Sequence, residues 1–382
     1  MISAATAALV AILAGYSGSL VIIFQAAQAA HLTAGQLSSW IWAISLSCGL
    51  CSAGLSYAYR APIAIAWSTP GAALLVVALP TMPYAEAIGA YVMAAAALLI
   101  IALTGLFDRA MRLVPPGIAA AMLAGILFRF GADLFTSAGQ EPALVGVMLA
   151  IWLIARRLTP RFAITATLAL GVLLALLRGQ THFAHVTASL AVPEFTMPVF
   201  TLAAAINLAV PLILVAISAQ YIPGLAVLRA AGYAPPARAL VAVSSAASLL
   251  FAPFGSHGIT TAAITAALIA NEEAHPDKTR RWIAGVWIGG FKVIIALFGA
   301  TVAALFAALP AALIAAIAGM ALTGAILAGL SAAVTNPNER DAAILTFLCA
   351  ASGMSAFGIG AAFWGLVIGL AAQFAFSNRR ST

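Results

Sequence analysis

The residues able to do chemistry gather in two stretches of an otherwise apolar chain. One is APIAIAWSTPGAALLVVALP, residues 61–80; the other is APFGSHGITTAAITAALIA, residues 252–270. Each opens on a Pro-marked, extended-looking segment. Each then sets small polar residues among aliphatic ones: Trp67-Ser68-Thr69-Pro70-Gly71 in the first, Gly255-Ser256-His257-Gly258 in the second. Pro70 suits the first turn of a helix, where a missing N–H costs little, and Ser68 or Thr69 can cap that helix. Ser256 is expected to do the same for the later one. Each stretch thus reads as a half-helix that starts inside a membrane span. Two helix N-termini aimed at one point offer free N–H donors and positive dipole ends, which is an anion site without a formal positive charge. The same small residues also let helices pack closely; a break in both halves favours the site.

Other polar side chains stand near these stretches. His257 is the one histidine inside an expected span, and no acidic residue lies mid-span. A carrier built on a buried carboxylate is therefore disfavoured. If a protein group carries a coupled proton, His257 is the first candidate, because histidine titrates near working pH; the alternatives are a histidine hydrogen-bonded in the core, or a proton riding on the substrate's own carboxyl group. Gln25 and Gln220 sit in the first span of each half, either as glue between helices or as substrate contacts. Tyr221, with Ser218 and Pro223-Gly224, marks a kinked polar patch around Gln220. Lys292 lies eleven residues past Arg281, roughly 16 Å into the bilayer at 1.5 Å per residue. It could attract an anion or pair with a backbone carbonyl. Cys48-Gly49-Leu50-Cys51 has C-x-x-C spacing but lies in an apolar helix without a second ligand pair, so no zinc or redox site is expected. No phosphate loop, catalytic triad or metal cluster is present in the sequence, and no cofactor is expected.

The elements that must position these residues are membrane spans. Of 382 residues, 64% are hydrophobic and 7% charged, against about 25% charged in a soluble domain. Solid Ala, Leu, Ile and Val runs exclude an outer-membrane barrel, whose strands alternate. Spans are expected at about 5–29, 36–56, 64–79, 84–107, 114–131, 141–157 and 160–178, then at 199–222, 236–253, 258–270, 281–300, 305–329, 339–354 and 357–377. The more polar stretch 179–198, with His182, His185, Pro193, Glu194 and Pro198, reads as a linker. With the N-terminus inside, the inner loops and tail hold Arg60, Arg109, Arg112, Arg156, Arg157, Arg161, Arg229, Arg238, Lys278, Arg280, Arg281, Arg340, Arg379 and Arg380. Only Arg129 and Arg178 fall outside. This follows the positive-inside rule, so the net charge of +7 is a topology signal and not a sign of nucleic acid. Both ends are expected in the cytoplasm.

The chain also reads as a duplication. Gln25 and Gln220 stand 195 positions apart, as do Pro115 and Pro310, and Ala61-Pro62 recurs as Ala252-Pro253. Seven spans per repeat, an odd number, forces opposite orientations: an all-α membrane protein of fourteen spans, built as inverted repeats 1–178 and 199–382, with the substrate site between them near mid-membrane.

At these same residues the chain resembles the bacterial benzoate:proton symporter family. The resemblance runs over essentially the whole chain, through AWSTPGAALL (66–75), LTGLFDRAMRLVPPGIAAAMLAGILFRFG (103–131), FAPFGSHGI (251–259), AAITAA (262–267), EAHPDK (273–278), ERDAA (339–343) and GAAFWGL (360–366). The long stretch and WSTPG are the specific parts. Thr260 departs from the pattern, since many relatives have asparagine after the Ser-His-Gly-Ile turn, and this bears on fine substrate preference. The resemblance implies the wider nucleobase and sulfate-type transporter fold. Spans 1–4 and 8–11 (about 1–107 and 199–300) would form a substrate-holding core. Spans 5–7 and 12–14 (about 108–178 and 301–377) would form a gate, often dimeric, and the core would move against it like an elevator. It also implies that substrate meets Gln25, Ser68, Thr69, Pro70, Gly71, Gln220, Tyr221, Ser256, His257, Gly258, Ile259 and Thr260; an aromatic ring is expected to pack on apolar walls with Tyr221 or Trp67. Nucleobase carriers of this fold place a carboxylate in span 8, near where Gln220 stands here; its absence fits a substrate that brings its own negative charge. The expectation is proton-coupled import of benzoate or a similar aromatic carboxylate across a bacterial inner membrane. The alternatives are another small anion or a nucleobase-like heterocycle on the same fold, and, from other classes, a channel or an intramembrane enzyme.

Overall fold

In the computed structural model, residues 2–106, 115–183, 186–272, 274–356 and 359–377 are described. The expected loop residues Arg109, Arg112 and Glu273, the linker residue His185 and the tail residues Arg379 and Arg380 lie outside them. The chain is built from helices α1 (Ile2–Ala29), α2 (Ala34–Tyr59), α3 (Thr69–Ala78), α4 (Tyr84–Leu103), α5 (Pro116–Gln140), α6 (Pro142–Leu158) and α7 (Ala163–Leu177), and then α8 (Leu202–Ala230), α9 (Ala237–Phe251) and α10 (Ala263–Ile269). The run closes with α11 (Trp282–Leu297), α12 (Gly299–Ala307), α13 (Ala311–Thr335), α14 (Arg340–Ser352) and α15 (Ala361–Ser377). Among the described residues, seven helices are long and apolar enough to cross a membrane: α1, α2, α4, α5, α8, α9 and α13. The pair α11–α12, bent by 69°, makes an eighth.

Local chemistry explains several of these elements. Thr33 and Gln36 close a reciprocal capping box at the start of α2. Helix α8 widens into π-helical turns at Ala205–Ala209 and Ala216–Tyr221. Pro211 and Pro223 follow these turns; neither has an N–H to return to the carbonyl four residues earlier, so the regular ladder is broken at both places. Helices α5 and α13 pack backbone to backbone: a Cβ on Gly319 would lie 2.6 Å from the Phe130 carbonyl oxygen, so no larger residue fits there. Helices α14 and α15 join this pair. The stretch 179–198 carries no long helix. It straps the ends of its neighbours through Ala191 to Leu297, Thr196 to Pro253 and Ser39 to Glu194.

Both broken spans hold extended backbone. Strand β1 (Ile65–Trp67) precedes α3, and β2 (Ile259–Thr261) precedes α10. They pair antiparallel, with Ile65 opposite Thr261, Ala66 opposite Thr260 and Trp67 opposite Ile259. Ser68 N–H donating to Gly258 and Ala262 N–H donating to Ala64 extend the ladder at either end. Unpaired backbone at this depth is costly, and serines one turn apart on the preceding helix meet it. On α2, Ser56 Oγ accepts from Ile63 N and donates to Ile63 O, and Ser52 does the same for Ile65. On α9, Ser248 Oγ accepts from Ile259 N at 2.9 Å. A second small sheet was not expected from the sequence: β3 (Ser355–Ala356) pairs with β4 (Ile359–Gly360).

Candidate functional site

Antiparallel pairing decides where each half-helix begins. Helix α3 leaves the sheet at the end where β2 enters, and α10 leaves at the opposite end. The starts of α3 and α10 therefore flank the sheet, one at each end. The two starts also differ. Ser68 caps α3 as expected, its Oγ accepting from Gly71 N at 3.0 Å, with Pro70 in the first turn. Ser256 does not cap α10. That helix begins at Ala263, after a turn and a strand, and its N-cap residue, Ala262, has no side-chain bond to give.

The α3 end of the sheet gathers Trp67, Ser68, Thr69, Pro70 and Gly71 with the incoming turn Ser256, His257, Gly258 and Ile259. Gly255 and Gly258 bend that turn at φ 105° and 121°. The His257 ring, 3% exposed, joins two elements. Its Nδ1 accepts from Trp40 Nε1 at 3.1 Å and its Nε2 lies 3.1 Å from the Ser68 carbonyl oxygen. An indole N–H only donates, so Nδ1 is the acceptor and Nε2 carries the proton that Ser68 accepts. Three buried donors in this region have no hydrogen-bond partner among the described residues: Trp67 Nε1, Ser256 Oγ and the Tyr91 hydroxyl. The Trp67 ring packs edge-on against Tyr16 of α1, with centroids 4.6 Å apart, and Tyr16 is held by Ser45 of α2.

The other expected residues are distributed around the sheet. Thr261 Oγ1 donates to the Gln220 carbonyl at the α10 end, and α8 passes so close there that a Cβ on Gly224 would sit 2.4 Å from Thr261 Oγ1. Tyr221 is behind β2: its hydroxyl is 2.7 Å from Ser244 Oγ and donates to Ile259 O. This is a packing position, fully buried. Gln25 is half-buried on α1, with its Oε1 unpartnered among the described residues. Thr260 Oγ1 lies 3.5 Å from the Ala66 carbonyl oxygen. It also lines a small cavity of about 20 Å³ with Ser68, Tyr91, Ser248 and His257, space for about one water. Lys292 pairs with a carbonyl: Nζ donates to Ile65 O at 2.6 Å.

Sequence reasoning missed Trp40, Tyr16, Tyr91 and the paired serines Ser52/Ser56 and Ser244/Ser248. The serines carried a signal, a four-residue spacing in the helix just before each Pro-marked segment. The aromatic residues carried none, because their partners are distant in sequence.

A benzoate membrane transport protein family model matches residues 1–375. Inner membrane protein YdcO of Escherichia coli is 42% identical over 363 residues, covering 95% of this chain and 93% of YdcO. A benzoate membrane transport protein of Acinetobacter baylyi is 41% identical over 373 residues, covering 98% of this chain and 95% of that one. Among solved structures, SLC26A9 superposes with a TM-score of 0.62 at 14% identity, over 97% of this chain and 65% of its own length. The transmembrane domain of the cyanobacterial bicarbonate transporter BicA does so with a TM-score of 0.57 at 13% identity, over 90% of this chain and 97% of that domain. These two likenesses establish the fold alone. With apolar helices along its length and a family match over nearly all of it, the chain belongs to the benzoate membrane transport protein family and is a membrane transporter rather than an enzyme.

Proposed function

We propose that the protein imports benzoate, or a closely similar aromatic carboxylate, together with protons across a bacterial inner membrane. The single observation that carries the reading is the junction of the two broken spans: a buried sheet end that joins a capped helix start to a turn, where the Trp67 indole N–H and the Ser256 hydroxyl have no hydrogen-bond partner among the described residues. A carboxylate accepts from such donors, and the apolar walls around them suit a ring. Proton coupling follows from energetics. Moving one negative charge inward against about 100 mV costs about 2.3 kcal/mol, and a proton carried with it cancels that charge.

The reading includes fourteen spans in two inverted repeats, with both ends in the cytoplasm. The seven long helices, the bent α11–α12 pair and the shorter α3, α6, α7, α10, α14 and α15 fall in the expected order, which supports it. Spans 1–4 and 8–11 form the moving core, and the α5, α13, α14 and α15 group belongs to the gate. The cavity on the inner face of the sheet is too small for a ring acid, so loading needs the core to shift or open. Within this reading His257 serves as a pin: with both nitrogens engaged, it holds the turn of one half to the cap of the other.

Purified protein in liposomes should accumulate labelled benzoate when an inward proton gradient is imposed. It should lose accumulation when a protonophore collapses the gradient. Wild-type protein that folds and is reconstituted but accumulates no benzoate would remove the substrate assignment.

A further inference from the structure

Lys292 stands alone among the buried groups. It is 2% exposed on α11, and it is the one Lys, Arg, Asp or Glu among the buried described residues. Helix α11 packs against α1, α2 and α12. The titratable side chains on those helices are Tyr16, Cys48, Cys51, Tyr57 and Tyr59, so no carboxylate faces the lysine from any of them. Its hydrogen-bond partner is the Ile65 carbonyl, on the edge of β1 that faces away from β2, where Ser52 also donates. A carbonyl dipole offsets part of an ammonium's desolvation and none of its net charge, and an uncompensated buried charge is expensive. In a carrier that receives an anion, the bound anion supplies the missing counter-charge each time the site loads.

We propose that Lys292 is the counter-charge of the transported carboxylate. It acts from beneath β1 without touching the substrate, and its bond to Ile65 holds it against the strand that leads into Ser68. From Ile65 to Ser68 is three residues of extended chain, roughly 10 Å. At that range, with an effective dielectric near 20, one positive charge changes the affinity for a monoanion on the order of tenfold. The helix start gives direction to the carboxylate, and Lys292 gives the site its preference for anions over neutral rings. This inference rests on the reading that the sheet end takes a carboxylate.

Three variants separate the charge from the hydrogen bond. Lys292→Gln keeps an N–H donor for Ile65 and removes the charge, Lys292→Arg keeps the charge, and Lys292→Met removes both. Full-length variants are reconstituted in liposomes beside wild type, after their melting temperatures confirm folding. The expected result is a KM for benzoate raised about tenfold in the Gln and Met variants, with maximal rates changed far less, and a KM near wild type for Arg. A folded Gln or Met variant with wild-type KM overturns the proposal, and so does a folded Arg variant as weak as Gln. A wild-type protein that does not take up benzoate sinks the functional reading instead, and the two failures cannot be confused.

Discussion

In the first broken span the outward edge of β1 is met by Ser56 on Ile63, and by Ser52 and Lys292 on Ile65. In the second, the outward edge of β2 is met by Ser248 and Tyr221, both on Ile259. The backbone problem is the same, and serines on the preceding helix answer it in both. The remaining acceptor is where the halves part. One carbonyl takes an ammonium, the other a phenol. The routes into the strands differ as well. The first arrives through Arg60 in the left-handed region, at φ 49°, and an extended stretch; the second turns through a short 3-10 segment, Gly255 and Gly258. The first half thus carries the capped helix, and the second supplies both the charge laid against β1 and the turn that pins the cap. A duplicated frame need not divide its chemistry equally.

The turn is the most breakable part of this arrangement. Gly255 has φ 105°, and a Cβ there would lie 3.0 Å from the Trp40 Cα and 2.9 Å from the Tyr84 hydroxyl. Gly255→Ala combines a left-handed penalty of about 1–2 kcal/mol with an overpacking cost of about 1–3 kcal/mol. The expected outcome is a large drop in melting temperature in detergent, with little folded protein recovered. A folded, fully active Gly255→Ala protein would mean that the turn bears no strain. The next largest effect belongs to the other half. Ser68→Asp keeps a good N-cap, since aspartate accepts from the same backbone N–H, while placing a negative charge where the substrate carboxylate is proposed to sit. At about 5 Å and an effective dielectric near 20, the repulsion is roughly 3 kcal/mol. The KM for benzoate should therefore rise at least about tenfold while the melting temperature stays close to wild type. Unchanged uptake would place the carboxylate away from the α3 start.

Which of these features were legible beforehand follows from the range of the interactions. The α3 start was readable because Ser68, Pro70 and Gly71 act within one turn of each other. The extended entries were readable for the same reason. Similar composition in the two halves suggests a Ser256 cap that the structure lacks. Gly255 and Gly258 turn the chain, and a whole strand intervenes before Ala263. The opposite departure of α3 and α10 is a property of strand pairing, which neither segment encodes by itself. Trp40 with His257, and Lys292 with Ile65, join residues more than two hundred positions apart. Sequence marked both ionisable groups as costly in a membrane and left their partners open. The bend between α11 and α12 and the small β3–β4 sheet had no local signal strong enough to stand out from the surrounding Ala and Gly.

The finest test of the contrast is whether His257 belongs with the charge or with the pin. Its ring accepts from Trp40 and donates to Ser68, so a replacement that both accepts and donates at similar reach should preserve the junction. Glutamine has both functions, with no charge to gain at any working pH. If His257 only pins, His257→Gln should transport benzoate within about threefold of wild type, with the same dependence of uptake on external pH. His257→Ala should be clearly weaker, because it leaves the Trp40 N–H and the Ser68 carbonyl buried without partners, at roughly 1–3 kcal/mol for each. If the ring instead carries the coupled proton, the Gln variant melts like wild type yet loses its response to the proton gradient. Uptake measured across a pH series for both variants separates these outcomes, since only a proton-carrying role ties the size of the response to an ionisable ring.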